Sequence, residues 1–143
     1  MKVVKGHKFL EHTADVMVEA WGKNYAEALE ESALALMETI ADIKKIKKDG
    51  KKVRIVEKAP NLDEIVVFSL SDVLTESEIN DLFFYDCKVE KFEKIGNEWI
   101  VEMELLGRKS KKCAKTIVKG VTFCQIDVQK EQNKVKMTVV FDI

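Results

Sequence analysis

The sequence is poor in residues that interrupt or staple a chain. One proline and six glycines among 143 residues leave no room for a long disordered linker. The three cysteines, Cys87, Cys113 and Cys124, are odd in number, widely spaced and without a CxxC pair. They suggest neither a disulfide framework nor a zinc knuckle, and fit buried thiols in a reducing cytoplasm. The only two histidines, His7 and His12, are too few and too close together for a histidine-based zinc site. Neither sign of charge dominates. Lys and Arg total 24 against 25 Asp and Glu, a formal net charge of −1, so any basic footprint must be local. No apolar run approaches membrane-spanning length, and Met1-Lys2-Val3-Val4-Lys5 does not read as a signal peptide. A Gly-rich phosphate loop, a dinucleotide fingerprint, an EF-hand series, a G-x-S-x-G elbow and any internal repeat are also missing.

What remains describes one ordinary domain over residues 1–143, with 46% hydrophobic and 34% charged residues. Val16 to Gly22 alternates like a strand, with Val16, Val18 and Ala20 on one side and Asp15, Met17, Glu19 and Trp21 on the other. Asn24, with Glu27 three residues on, opens an amphipathic helix ending near Ala41 or Asp42. Its glutamates Glu27, Glu30, Glu31 and Glu38 read as a solvated outer face. A lysine-rich loop over 43–50 leads to a short strand within Lys51 to Lys58. Asn61 and Glu64 start a second helix that fades by Ser77.

The remaining chain is read as strands. Leu82–Phe92 and Glu98–Leu106 form a hairpin about Gly96-Asn97. In the first arm Phe84 and Phe92 share one alternation, and Tyr85, Cys87 and Val89 the other. A basic stretch over 107–115 precedes a strand at Thr116–Val128. The last strand, Lys134–Ile143, puts Val135, Met137, Val139, Phe141 and Ile143 inward and Lys136, Thr138, Val140 and Asp142 outward. The expected fold is a single α+β domain, with two helices covering one face of a largely antiparallel sheet of about six strands.

Two stretches carry candidate chemistry. Phe9-Leu10-Glu11-His12-Thr13-Ala14-Asp15 places two carboxylates and a histidine at the head of a strand, where unpaired ionised groups are costly to bury. At the other end, Asp142-Ile143 sets a side-chain carboxylate one residue from the α-carboxylate. Chain ends usually fray, but two carboxylates held this closely repel each other and call for a cation. If Asp15 were adjacent in the sheet, the donors would all be oxygen, favouring Ca²⁺ or Mg²⁺ over Zn²⁺. Spacing alone does not establish that adjacency.

The chain resembles the archease family. The resemblance rests on Phe9-Leu10-Glu11-His12-Thr13-Ala14-Asp15, on Glu19-Ala20-Trp21-Gly22 and on Ala26-Glu27-Ala28. Late in the chain it rests on Val118-Lys119-Gly120-Val121-Thr122-Phe123 and on Val139-Val140-Phe141-Asp142-Ile143. These elements span essentially the whole chain. The resemblance implies a cytoplasmic, metal-binding accessory protein rather than an enzyme. Such a protein activates an RtcB-type tRNA-splicing RNA ligase by promoting its guanylylation and multiple turnover, and reaches tRNA through the ligase. It further implies a divalent metal, usually calcium, held by Asp15, Asp142 and the terminal carboxylate of Ile143.

Glu11, His12 and Lys119 are candidate partner contacts, with His12 read equally as an orienter of Asp15 or as a structural strand-edge side chain. The late motif departs from the family pattern Lys-Ala-Val-Thr-Tyr-His, carrying Lys119-Gly120-Val121-Thr122-Phe123-Cys124 instead. Cys113 stands about where another family histidine often sits. The basic run from Arg108 to Lys119 is a solvated loop or a contact for tRNA or an acidic ligase surface. Two other functions stay open. One is an RNA-binding or chaperone-like modulator of a tRNA-modifying enzyme. The other is a metal-dependent hydrolase using Asp15 and Asp142, with Glu11 or His12 as base.

Overall fold

The computed structural model describes residues 3–11, 14–110 and 112–143. Local capping sets both helices. Asn24 accepts a hydrogen bond from the Glu27 backbone N–H at 2.9 Å, and α1 runs from Tyr25 to Ile40. Glu27 reaches back to the Lys23 backbone N–H at 3.1 Å, so the reciprocal arm of the box lands one residue earlier than the motif suggests. Asn61 repeats the device on Glu64 at 2.9 Å and opens α2, Leu62–Asn80. This helix runs three residues past Ser77 and stops where Asp81 takes a left-handed conformation, φ 54°.

Among the described residues, seven strands form two antiparallel sheets against these helices. The first sheet orders β1 (Gly6–Leu10), β2 (Val16–Gly22), β7 (Lys134–Asp142) and β6 (Gly120–Glu131) as β1-β2-β7-β6. The second orders β3 (Lys51–Ala59), β5 (Glu98–Arg108) and β4 (Phe83–Ile95) as β3-β5-β4. The β4–β5 hairpin turns through Gly96 at φ 63°, a conformation that favours a residue without Cβ. A Cβ at Gly6 would lie 2.7 Å from the Trp21 ring, so the β1–β2 pairing fits closely only with glycine there.

The α+β class, the two helices and the antiparallel pairing agree with the sequence, but the arrangement of layers does not. The helices do not cover one face of one sheet. α1 packs on β1, β2 and β7 and also on β4, whereas α2 packs on β3, β5 and β6. Each helix therefore touches both sheets, and one core cluster includes Leu29, Leu36, Leu70, Met103 and Phe141. This arrangement overturns the outer face assigned to α1. Glu30 and Glu31 are buried, at 9% and 7% exposure, because β1 and β4 flank the helix where solvent was expected.

Several strand details also differ. β1 adds a strand ahead of Val16. β6 begins at Gly120 rather than Thr116, and its pairing with β7 breaks between Thr122 and Asp127, where Gln125 takes φ 58°. Register shifts in β4 bury Phe84 and Tyr85 side by side in sequence, ending the simple alternation. In β7, Val140 is fully buried although its alternation pointed outward, and Ile143 is 40% exposed because the strand ends at Asp142. Among the thiols, Cys113 is buried and Cys87 half-buried, but Cys124 is exposed.

Candidate metal-binding strand end

β2 and β7 lie side by side at the middle of their sheet, Val16 opposite Phe141. Asp15 directly precedes Val16 and Asp142 directly follows Phe141, so the two residues flank the same end of the strand pair. Spacing along the chain could not show that these residues share a strand end; the strand pairing does. Phe141 and Val18 are fully buried, and removing a phenylalanine side chain from water contributes about 2–3 kcal/mol, so the two strand ends are pinned from below. On the other side of β7, Gly120 pairs with Asp142, and the Lys119 backbone N–H donates to the Asp142 carbonyl at 2.7 Å. Asp15 is half-buried, whereas Asp142, Lys119 and Glu11 are exposed.

The structure thus gathers Asp15, Asp142, Ile143 and Lys119 at one end of three adjoining strands. Glu11 follows the end of β1, the fourth strand. His12 lies outside the described residues. Among the described residues, no three His, Cys, Asp or Glu side chains stand close enough to hold a metal. Two carboxylates are present, and a further donor would have to come from the main chain. Such a set is all oxygen and fits a hard cation. Beside it lies a hollow of about 280 Å³ lined by Phe9, Val16, Glu38, Thr39, Lys115 and Thr116.

Sequence reasoning missed a second polar cluster at the other end of β1. His7 bonds through Nδ1 to Glu31 at 2.8 Å and through Nε2 to Glu38 at 3.0 Å. A ring that donates from both nitrogens is an imidazolium. Burial opposes its charge, but the hydrogen bonds to Glu38 and Glu31 prevail and leave His7 more basic than usual. Next to it, Lys5 pairs with Glu30 at 2.8 Å, and the other Glu30 oxygen accepts from the Val89 backbone N–H at 2.8 Å. The Glu31/Glu38 spacing of seven residues was the available signal, since it places both carboxylates on one helix face. The Cys87 thiol is made less acidic by burial and by the nearby Glu30 and Asp86 charges, which argues against a thiolate nucleophile.

Residues 7–143 match the model of the Archease protein family. The chain belongs to that family. The archease of Methanosarcina barkeri is 32% identical over 142 residues, with 97% of each chain covered. That of Pyrococcus abyssi is 30% identical over 131 residues, covering 89% of this chain and 90% of the relative. A solution structure of Methanobacterium thermoautotrophicum protein 1598 shares the fold, at TM-score 0.80 and 22% identity, covering 96% and 99% of the two chains. A Thermotoga maritima archease, described as a possible chaperone, matches at TM-score 0.61 and 24% identity, covering 95% and 96%. Membership accounts for the motif order along the chain. Among the described residues, no helix is long and apolar enough to cross a membrane.

Proposed function

We propose that this protein is a metal-binding accessory protein that activates an RtcB-type tRNA-splicing RNA ligase, promoting its guanylylation and multiple turnover. The observation that supports the reading is the β2–β7 pairing, in which Val16 lies opposite Phe141, so that Asp15 and Asp142 flank the same strand end. Asp15, Asp142 and the terminal carboxylate of Ile143 would hold a divalent cation, with Ca²⁺ the first candidate because every donor is oxygen. When bound, the cation supplies positive charge to an otherwise anionic strand end and ties β2 to β7.

The chain's own residues do the rest. Phe141 and Val139 anchor the strand end in the core, Lys119 N–H fixes the Asp142 carbonyl, and exposed Glu11 and Lys119 offer contacts to the ligase. The protein acts in the cytoplasm beside its ligase partner. The test is guanylylation and multiple-turnover ligation by the cognate ligase, with and without the protein and with Asp15→Ala. Stimulation that disappears in a folded variant supports the reading. Stimulation that survives removes the cation from the mechanism, and no stimulation by the wild-type protein removes the activator role.

A further inference from the structure

The lysine-rich loop after α1 and the basic run before β6 are about 70 residues apart in sequence, yet the fold joins them. Ala41 and Ala114 form an isolated antiparallel bridge. The Asp42 backbone N–H donates to the Cys113 carbonyl at 2.8 Å, and the Lys115 N–H to the Ile40 carbonyl at 2.9 Å. Beneath them Ala41, Ile46, Tyr85 and Cys113 make a small buried core of their own. The Ile40 carbonyl at the end of α1 is thus satisfied by backbone, and the lysines on both segments, Lys44, Lys45, Lys48, Lys112 and Lys115, are exposed.

The result is an open basin of about 760 Å³ whose rim carries Lys44, Lys45, Lys48, Lys112 and Lys115. Two of these are engaged, Lys45 with Asp42 at 3.7 Å and Lys115 Nζ with the Glu38 carbonyl at 2.9 Å. Lys44, Lys48 and Lys112 have no ion-pair partner among the described residues. In a chain of net charge −1, such a concentration of cations from two segments is local and directional.

We infer that this basin binds the phosphate backbone of RNA, without reading sequence. Three features select that occupant. The cationic rim is complementary to a polyanion. Its donors are all lysine, point charges that neutralise phosphates but lack the flat bidentate fork used on bases. The rest of the lining is two acidic residues, Glu38 and Asp42, outnumbered by the five lysines, together with Ala41, Ile43, Cys113 and Ala114; it provides no aromatic surface for stacking a base, so a single nucleotide has little to hold it. An acidic protein surface fits less well, because lysine is depleted from protein–protein interfaces while arginine is enriched. Glu38 and Lys115 line both the basin and the hollow beside Val16, so bound RNA would run toward the Asp15 end of β2. The inference does not depend on the metal or on ligase activation.

The test is fluorescence anisotropy of a labelled tRNA transcript with the full-length protein across a series of KCl concentrations. Binding at low salt with a steep negative log–log slope is expected. The triple variant K44Q/K48Q/K112Q should bind at least tenfold more weakly at low salt. Its slope should be shallower by about two, since each phosphate contact contributes roughly 0.7–0.9. Its melting temperature and its stimulation of guanylylation, a step without RNA, should match the wild type. K58Q/K94Q, at the far end of the β3-β5-β4 sheet, should bind like the wild type. Absence of tRNA binding, equal binding by the triple variant or equal loss in K58Q/K94Q would overturn the inference. Displacement of tRNA by polyglutamate as readily as by polyuridylate would reassign the basin to an acidic protein.

Discussion

Glu30 is a single side chain with two obligations, and both come from the residues around it. One oxygen holds Lys5 at 2.8 Å and the other accepts the buried Val89 N–H at 2.8 Å. Truncation by Glu30→Ala leaves that N–H without its partner, a loss of about 1–3 kcal/mol expected as a lower urea midpoint. Glu30→Gln keeps an acceptor oxygen and should recover part of it; equal destabilisation by both variants would point to charge rather than the hydrogen bond. His7 gives a pH signature of the opposite kind. Its folded pKa lies above the ordinary 6.5, so its contribution is complete below about pH 6.5 and fades as pH rises through the folded value. Comparing wild type with His7→Gln isolates this from other titrating groups. The difference should be largest below about pH 6.5 and shrink as pH rises through the folded value.

At the scale of elements, α2 and β3 meet across an acidic contact. Burial, a hydrogen bond to Glu57 and the charges of Glu57 and Glu76 push the Asp72 carboxyl from 3.8 up to about 7. The folded state therefore keeps a proton that the unfolded state has released. Stability falls as pH rises from about 3.8 to about 7 and stays low above that. Asp72→Asn escapes the penalty, so thermal melts should show it more stable than wild type by about 1 kcal/mol at pH 8, with the difference vanishing near pH 4. The same scale decides what the sequence could reveal. Asn24 and Asn61 announce their helices because a cap bonds a backbone N–H only three residues away, and the Gly96 turn announces its hairpin. β1 gave little signal because it is an edge strand with only partial burial. The burial of Glu30 and Glu31 and the division into two sheets depend on contacts between distant segments, which periodicity along one helix does not record. The candidate site was half legible. Asp15 and Asp142 could be singled out as carboxylates, but only the β2–β7 register shows that they flank one strand end, and the exposure of Ile143 follows from where β7 stops.

For the whole molecule, the β2–β7 pairing is a closure, joining the first long strand to the last in the middle of a four-stranded sheet. A cation held at its end would act on global stability, because a ligand that binds only the folded state stabilises it by mass action. At a hundredfold excess over Kd the gain is about 2.7 kcal/mol. Differential scanning fluorimetry in Ca²⁺ and in EDTA should therefore separate two melting temperatures for the wild-type protein and merge them for Asp15→Asn. A chain extended by a few residues beyond Ile143 moves the α-carboxylate away while keeping both aspartates. It should need more Ca²⁺ for the same shift, whereas an unchanged midpoint would exclude that carboxylate as a donor. Mg²⁺ should stabilise less, because it demands near-ideal octahedral geometry and gives up its water reluctantly, while donors drawn from two separate strand ends do not form a ready-made octahedral cage. Identical melting in Ca²⁺ and EDTA would remove the cation from this strand end, and ligase activation would then have to rest on protein contacts such as Glu11 and Lys119.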